Sequence, residues 1–295
     1  MAYEVVNNRS RKTKRKLFGL VGTAVLVLGV VLVLVVVLLV KNGNGNANSV
    51  RKTVIARCES YLKEHSSIAR LNECEKIWGA FEKAYVGRDA CDVPLEAYDP
   101  LIKTVTQQIT CNTKLFWSKT NAIAHAFTKS RNCLLTVEDT LLGFIFNGLT
   151  WCSKNDSKET LTTHCPEWSY CQNNPVRSFW IQASRHFAVT ACGHVFAMLN
   201  GSLEAPFSTS SVFGSVEVKS FNSSKVDSLT VLLVTKDTDN TTCSSPSFKD
   251  LRNALASEIV YNCTEVPYSS VERCISHPEI QCSDCLSRPG VFSTQ

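Results

Sequence analysis

From Leu17 to Val40 the chain presents 24 consecutive residues in which Thr23 is the one polar side chain. About 20 apolar residues in a helix cross the hydrocarbon core of a bilayer, so this run reads as a transmembrane helix. The apolar core of a cleaved leader is usually about 7 to 15 residues long and ends at a small-x-small site, and the run has neither property. Arg9, Arg11, Lys12, Lys14, Arg15 and Lys16 precede it, whereas Lys41 alone follows it closely. Basic residues stay on the cytoplasmic side. Residues 1–16 are therefore expected to be a cytoplasmic tail, 17–40 the span, and everything later extracellular or lumenal. The expected address is the plasma membrane, as a single-pass type II protein.

All 14 cysteines lie beyond that run, between Cys58 and Cys285, the pattern of a disulfide framework built in an oxidising compartment. Sequons at Asn155, Asn200, Asn222, Asn240 and Asn262 agree with that side of the membrane, while Asn8 would stay bare in the cytosol. Cys282 and Cys285 have the spacing of half a zinc site, but no second pair accompanies them, so no metal is expected. The net charge of +5 is concentrated in the N-terminal cluster. A nucleic-acid partner therefore has little support.

Residues 41–52, rich in Asn and Gly, read as a flexible stalk, 53–285 as the folded part and 286–295 as a tail. Apolar stripes at helical spacing predict helices over 54–63, 74–86, 115–127, 135–146 and 176–199. Further on, β-branched runs at 213–218 and 228–235 predict strands, with a helix over 248–259. The expectation is a helical first lobe and an α/β second lobe with a short, mainly parallel sheet, a cleft between them and disulfides stapling the whole. In the predicted strand Phe213–Val218, Val216 and Val218 face one way and Glu217 the other. No lysine or arginine lies in that stretch before Lys219. A Glu217 side chain that entered a pocket would await a ligand cation rather than a structural partner.

Leu115-Phe-Trp-Ser-Lys119, Thr136-Val-Glu-Asp-Thr-Leu-Leu-Gly143, Leu149-Thr-Trp-Cys152, Asn173-Asn-Pro-Val176 with Phe179-Trp180, Met198-Leu-Asn-Gly-Ser202 and Phe213-Gly-Ser-Val-Glu-Val218, taken in this order, resemble the ADP-ribosyl cyclase/cyclic ADP-ribose hydrolase family, and within it the membrane-anchored lymphocyte-surface branch. The resemblance runs from about Val54 to Cys285. It implies cleavage of the nicotinamide–ribose bond of NAD, with ADP-ribose as main product, cyclic ADP-ribose as a minor one, and hydrolysis of the cyclic product besides. NAD is substrate, so no cofactor is implied. By resemblance the catalytic glutamate is Glu217, the active-site tryptophans are Trp117 and Trp180, and the acidic pair is Glu138 and Asp139. Ser118, Lys119, Ser184, Arg185, Phe213 and Val212 stand where the family contacts phosphate. The implied disulfides are Cys58–Cys74, Cys91–Cys171, Cys111–Cys192, Cys152–Cys165, Cys243–Cys263, and Cys274 with Cys282 or Cys285. Cys133 and one of the last two remain, for an extra bridge or for a link between two chains in a homodimer.

These residue types suit that chemistry. The leaving nicotinamide is already cationic and needs no general acid, so one carboxylate can stabilise or capture the ribosyl centre. Indole faces suit the charged ring, and Ser118, Lys119 and Arg185 suit a pyrophosphate. The structural alternatives are core packing for both tryptophans, a solvated helix face for Arg185, and helix-first-turn acids after an N-cap at Thr136 for Glu138 and Asp139. Departures from the surface members are Asn147-Gly148 in place of an acidic pair, with Asn147 still able to hydrogen-bond a carboxamide, Val212 in place of threonine, and Asn121 in place of lysine. The rival class is a receptor or adhesion domain with a vestigial pocket. The six histidines form no paired motif of the kind a ribonuclease or protease would use.

Overall fold

The computed structural model describes residues 49–65, 71–105 and 110–286. The expected tail, span and most of the stalk lie outside them, as does 287–295. Among the described residues no helix is long and apolar enough to cross a membrane.

A helix α1 over 49–65 already includes 49–52, assigned to the stalk on sequence. Helix α2 (Leu71–Tyr85) is followed by a 3-10 turn (Leu95–Tyr98) and α3 (Asp99–Thr104), which starts with Pro100 in its first turn, where a missing N–H costs nothing. Then come β1 (Leu115–Ser118), α4 (Asn121–Ser130), a 3-10 turn (Val137–Asp139), α5 (Leu141–Phe146), α6 (Pro175–Val189) and β2 (Gly193–Asn200). A π-helical turn (Phe213–Glu217) runs into α7 (Val218–Ser220), followed by β3 (Val226–Thr235), α8 (Ser247–Ala254), β4 (Val260–Pro267), α9 (Tyr268–Ser276) and α10 (Cys282–Leu286).

The strands form one sheet in the order β1-β2-β3-β4, parallel throughout. Its two faces alternate as the pleat requires. Phe116, Ala197, Leu199, Val231 and Leu233 join a core shared with α6 and the N-terminal helices, while Leu115, Met198, Leu232 and Val234 pack with α4 and α9. The helical part and the α/β part therefore share one continuous core, and the two lobes differ in secondary structure rather than in core.

Several expected elements are corrected. The stretch 115–127 is β1 followed by α4, and 176–199 is α6 followed by β2. Both hidden strands are buried on two faces, so they read as continuous apolar runs like those inside a helix. The break after α6 is made at Gly193, whose φ of 69° favours a residue without a side chain. Residues 135–146 divide into the 3-10 turn and α5. The expected helix over 248–259 stops at Ala254, and β4 follows unannounced because its Asn262, Thr264 and Glu265 dilute the strand pattern. Phe213–Val218 is not a strand. A Cβ at Gly214 would lie 2.3 Å from the Ser208 carbonyl oxygen, so this glycine permits a close chain approach rather than a turn into a sheet.

Seven disulfides use all 14 cysteines. Cys274 pairs with Cys285, and Cys133 with Cys282, so the extra bridge is within the chain and no thiol is left to link two chains. Sequon residues Asn155, Asn222, Asn240 and Asn262 are exposed, and Asn200 is half-buried. Two features fix α6, the helix that carries much of the site. At its start the Asn174 side chain accepts from Arg177 N at 2.8 Å. At its end the buried Lys114 ammonium, which burial lowers to about 7, donates to the Phe187 carbonyl at 2.5 Å and to Thr190 at 2.7 Å.

Candidate active site

The carboxyl end of a parallel strand is where α/β folds place ligands. Here β1 ends in Trp117 and Ser118, and Lys119 turns the chain at φ 59°, a left-handed conformation that is strained for a residue with a side chain. Thr120 ties this turn to β2 by donating to the Met198 carbonyl at 2.8 Å. Beside it opens a cleft of about 410 Å³.

A second wall comes from the turn before α5. Thr136 and Asp139 form a reciprocal capping box, in which the Asp139 carboxylate accepts from the Thr136 N–H and hydroxyl, each at 2.7 Å. That box presents Glu138, one of whose oxygens accepts from Trp117 Nε1 at 3.2 Å. Helix α1 supports the same wall, with Tyr61 donating to the Asp139 carbonyl at 3.1 Å and Arg57 to the Asn147 carbonyl at 2.7 Å. A third wall is α6. Phe179 is fully buried edge-on against Trp151 and Tyr98, and this seats the next residue, Trp180, at the cleft with Ser184 one turn further on.

The π-helical turn closes the floor with Phe213 and Glu217, joined by Ser211 and Val212 just before it. Such turns are rare and frequent at functional sites. Glu217 is 6% exposed. Burial pushes its carboxyl up to about 8 from an ordinary 4.5; a hydrogen bond from Ser184 opposes the rise, and the nearby Glu138 carboxylate adds to it. Among the described residues no lysine, arginine or histidine forms an ion pair with it.

Trp117, Ser118, Lys119, Glu138, Asn147, Trp180, Ser184, Val212, Phe213 and Glu217 thus meet in one cleft, together with Asn121. Asp139 and Arg185 do not line it. Asp139 is committed to capping, and Arg185, one residue past Ser184 and rotated away from the cleft, bonds Gln182 of its own helix at 3.0 Å. Trp168 and Ser211 also line the cleft and were missed on sequence. Trp168 is held by Asn174, whose Nδ2 donates to the carbonyls of Glu167, Trp168 and Cys171 at 3.1–3.2 Å. Its signal was a large aromatic in a short loop between Cys165 and Cys171, immediately before the Asn-Pro start of α6.

The family model for ADP-ribosyl cyclase matches residues 47–283. The rat protein named ADP-ribosyl cyclase/cyclic ADP-ribose hydrolase 1 is 38% identical over 231 residues, covering 77% of this chain and 76% of that one. Among solved structures, porcine CD38 with a covalent intermediate, ribo-F-ribose-5'-phosphate, superposes with a TM-score of 0.68 at 36% identity, covering 74% of this chain and 96% of its own. Aplysia cyclase with substrate NGD and product cGDPR gives a TM-score of 0.65 at 26% identity, covering 80% and 96%. With the family match spanning most of its length and its fold shared with these structures, the chain belongs to the ADP-ribosyl cyclase family.

Proposed function

We propose that this cleft cleaves the nicotinamide–ribose bond of NAD, giving nicotinamide and mainly ADP-ribose, with cyclic ADP-ribose as a minor product that the same site also hydrolyses. The observation that carries this reading is Glu217, a buried carboxyl without a cationic partner among the described residues, on the floor of a cleft that also holds three indoles and a lysine. The nicotinamide ring of NAD is a cation. Stacked on Trp117 or Trp180 it gains roughly 0.5 to 2 kcal/mol of cation–π attraction, and its charge beside Glu217 favours the carboxylate over the acid. As the C–N bond breaks, its electron pair leaves with nicotinamide, which departs neutral, and positive charge moves to the ribosyl carbon. Glu217 stabilises that centre electrostatically or bonds to it. The covalent intermediate in porcine CD38 supports the second form. Ser118 and Lys119 suit the pyrophosphate, and Asn147 can hydrogen-bond the carboxamide.

Water then attacks to give ADP-ribose, or the adenine of the same molecule attacks to give the cyclic product. Glu138, a carboxylate beside the ribosyl site, holds polar groups and water there and so disfavours the folded-back adenine. A barrier difference of about 1.4 kcal/mol makes the ratio tenfold. The same reading places the site outside the cell on a chain anchored by 17–40, supported by the basic cluster before that run, the sequons and the seven disulfides.

The test is to incubate the purified full chain with NAD and separate the products. Nicotinamide should appear with ADP-ribose in excess of the cyclic form, and Glu138→Ala or Glu138→Phe should raise the cyclic share. Absence of nicotinamide release would leave the receptor reading standing.

A further inference from the structure

His125 stands behind the cleft with no task in that chemistry. It lies on α4 and does not line the cleft. Its ring meets Trp117 edge-on, with centroids 5.6 Å apart at 72°. Its Nε2 is buried and, among the described residues, has no hydrogen-bond partner. Buried polar nitrogens are seldom left unpaired, so the orientation calls for a reason. What faces Nε2 is Glu138, whose Oε1 is 3.9 Å away while its Oε2 accepts from Trp117. That distance is beyond a direct hydrogen bond, but a movement of under about 1 Å closes it. The Glu138 carboxylate thus sits between two ring nitrogens, one bonded and one poised.

We propose that His125 is a positioning residue for Glu138: it fixes the orientation of that carboxylate from behind and, through it, the share of cyclic product. The inference rests on the role given to Glu138 above. The competing account is that His125 is an aromatic filler against Trp117. The two accounts part on the nitrogen, because phenylalanine keeps the ring and loses Nε2, whereas glutamine loses the ring and can return an N–H near the same place.

The experiment measures product ratio and KM for NAD in the full chain with His125→Phe and His125→Gln, each alone and in a Glu138→Ala background. His125→Phe should raise the cyclic-to-hydrolysed ratio about threefold or more with KM changed less than about twofold, and in the Glu138→Ala background it should add nothing, the non-additivity expected of two residues acting as one unit. His125→Gln should restore a near-native ratio. If His125→Phe fails to fold, judged by its thermal unfolding, His125→Asn replaces it with the same expectation, being too short to reach Glu138. A native ratio in His125→Phe, or an equal shift with and without Glu138, overturns the proposal. If Glu138→Ala itself leaves the ratio native, the reading of Glu138 fails and this inference falls with it. A shift in Glu138→Ala without one in His125→Phe rejects His125 alone.

Discussion

Glu217 has to be an anion to stabilise a ribosyl cation, yet its burial favours the acid form up to about pH 8. The free enzyme should therefore gain kcat/KM as pH rises from 6 to 9, with a midpoint near 8, because kcat/KM reports the ionisation of the unliganded site. Bound NAD adds a cation beside the carboxyl, so the kcat profile should turn at lower pH. A kcat/KM profile flat across this range would show that Glu217 is not the titrating group. The same shift has a stability consequence. Below pH 4.5 the group is protonated folded or unfolded and has no effect. Between 4.5 and about 8 the unfolded chain releases its proton while the folded chain holds it, so stability falls as pH rises, and above 8 the full cost is present. Glu217→Gln, neutral at every pH, should raise the unfolding temperature over the native protein, with a gap that widens from pH 5 to pH 9. A constant gap would contradict the burial-driven shift.

At the scale of elements, the 3-10 turn that presents Glu138 depends on α5 packing against its backbone. A Cβ at Gly143 would lie 2.0 Å from the Val137 carbonyl oxygen and 2.5 Å from Glu138 Cα. Gly143→Ala must therefore push the turn away, at a cost of about 1 to 3 kcal/mol in stability. Because Glu138 moves with the turn, the cyclic share should rise as well; a destabilised variant with a native product ratio would mean that the turn absorbs the push without moving the carboxylate. The elements also show what could be read from sequence. The helix at 74–86 was legible because its period is clean, the strand at 228–235 because its β-branched run is short and bounded by polar residues, and the residues of the site because their motifs are distinctive. Strands β1 and β2 were hidden because a strand buried on both faces lacks alternation. The turn holding Glu217 looked like a strand because Val-Glu-Val alternates by accident, while its conformation is set by the contact of Gly214 with Ser208, distant information that a local pattern does not carry. Trp168 was missed for a related reason, since its loop is held at the cleft by distant partners, the Cys152–Cys165 and Cys91–Cys171 bridges at its ends and the bonds made by Asn174.

For the whole molecule, seven disulfides stitch a core that runs from α1 to the sheet, and exposed sequon residues lie on the part of the chain after the apolar run. The proposed orientation, with the folded part outward and the N-terminus cytoplasmic, rests on the six basic residues before Leu17. Protease added to intact cells should remove most of the chain and leave a tag at Met1 protected; digestion of that tag would reverse the orientation. The central claim is that the cleft is a site of NAD cleavage run by one carboxylate. Its most direct test is the rate of nicotinamide release from NAD by the full chain and by its Glu217→Gln variant, both shown to be folded. The account predicts steady release by the native protein and a loss of at least ~10³ in kcat, about 4 kcal/mol, in the variant. A folded Glu217→Gln protein that releases nicotinamide at a near-native rate would contradict it.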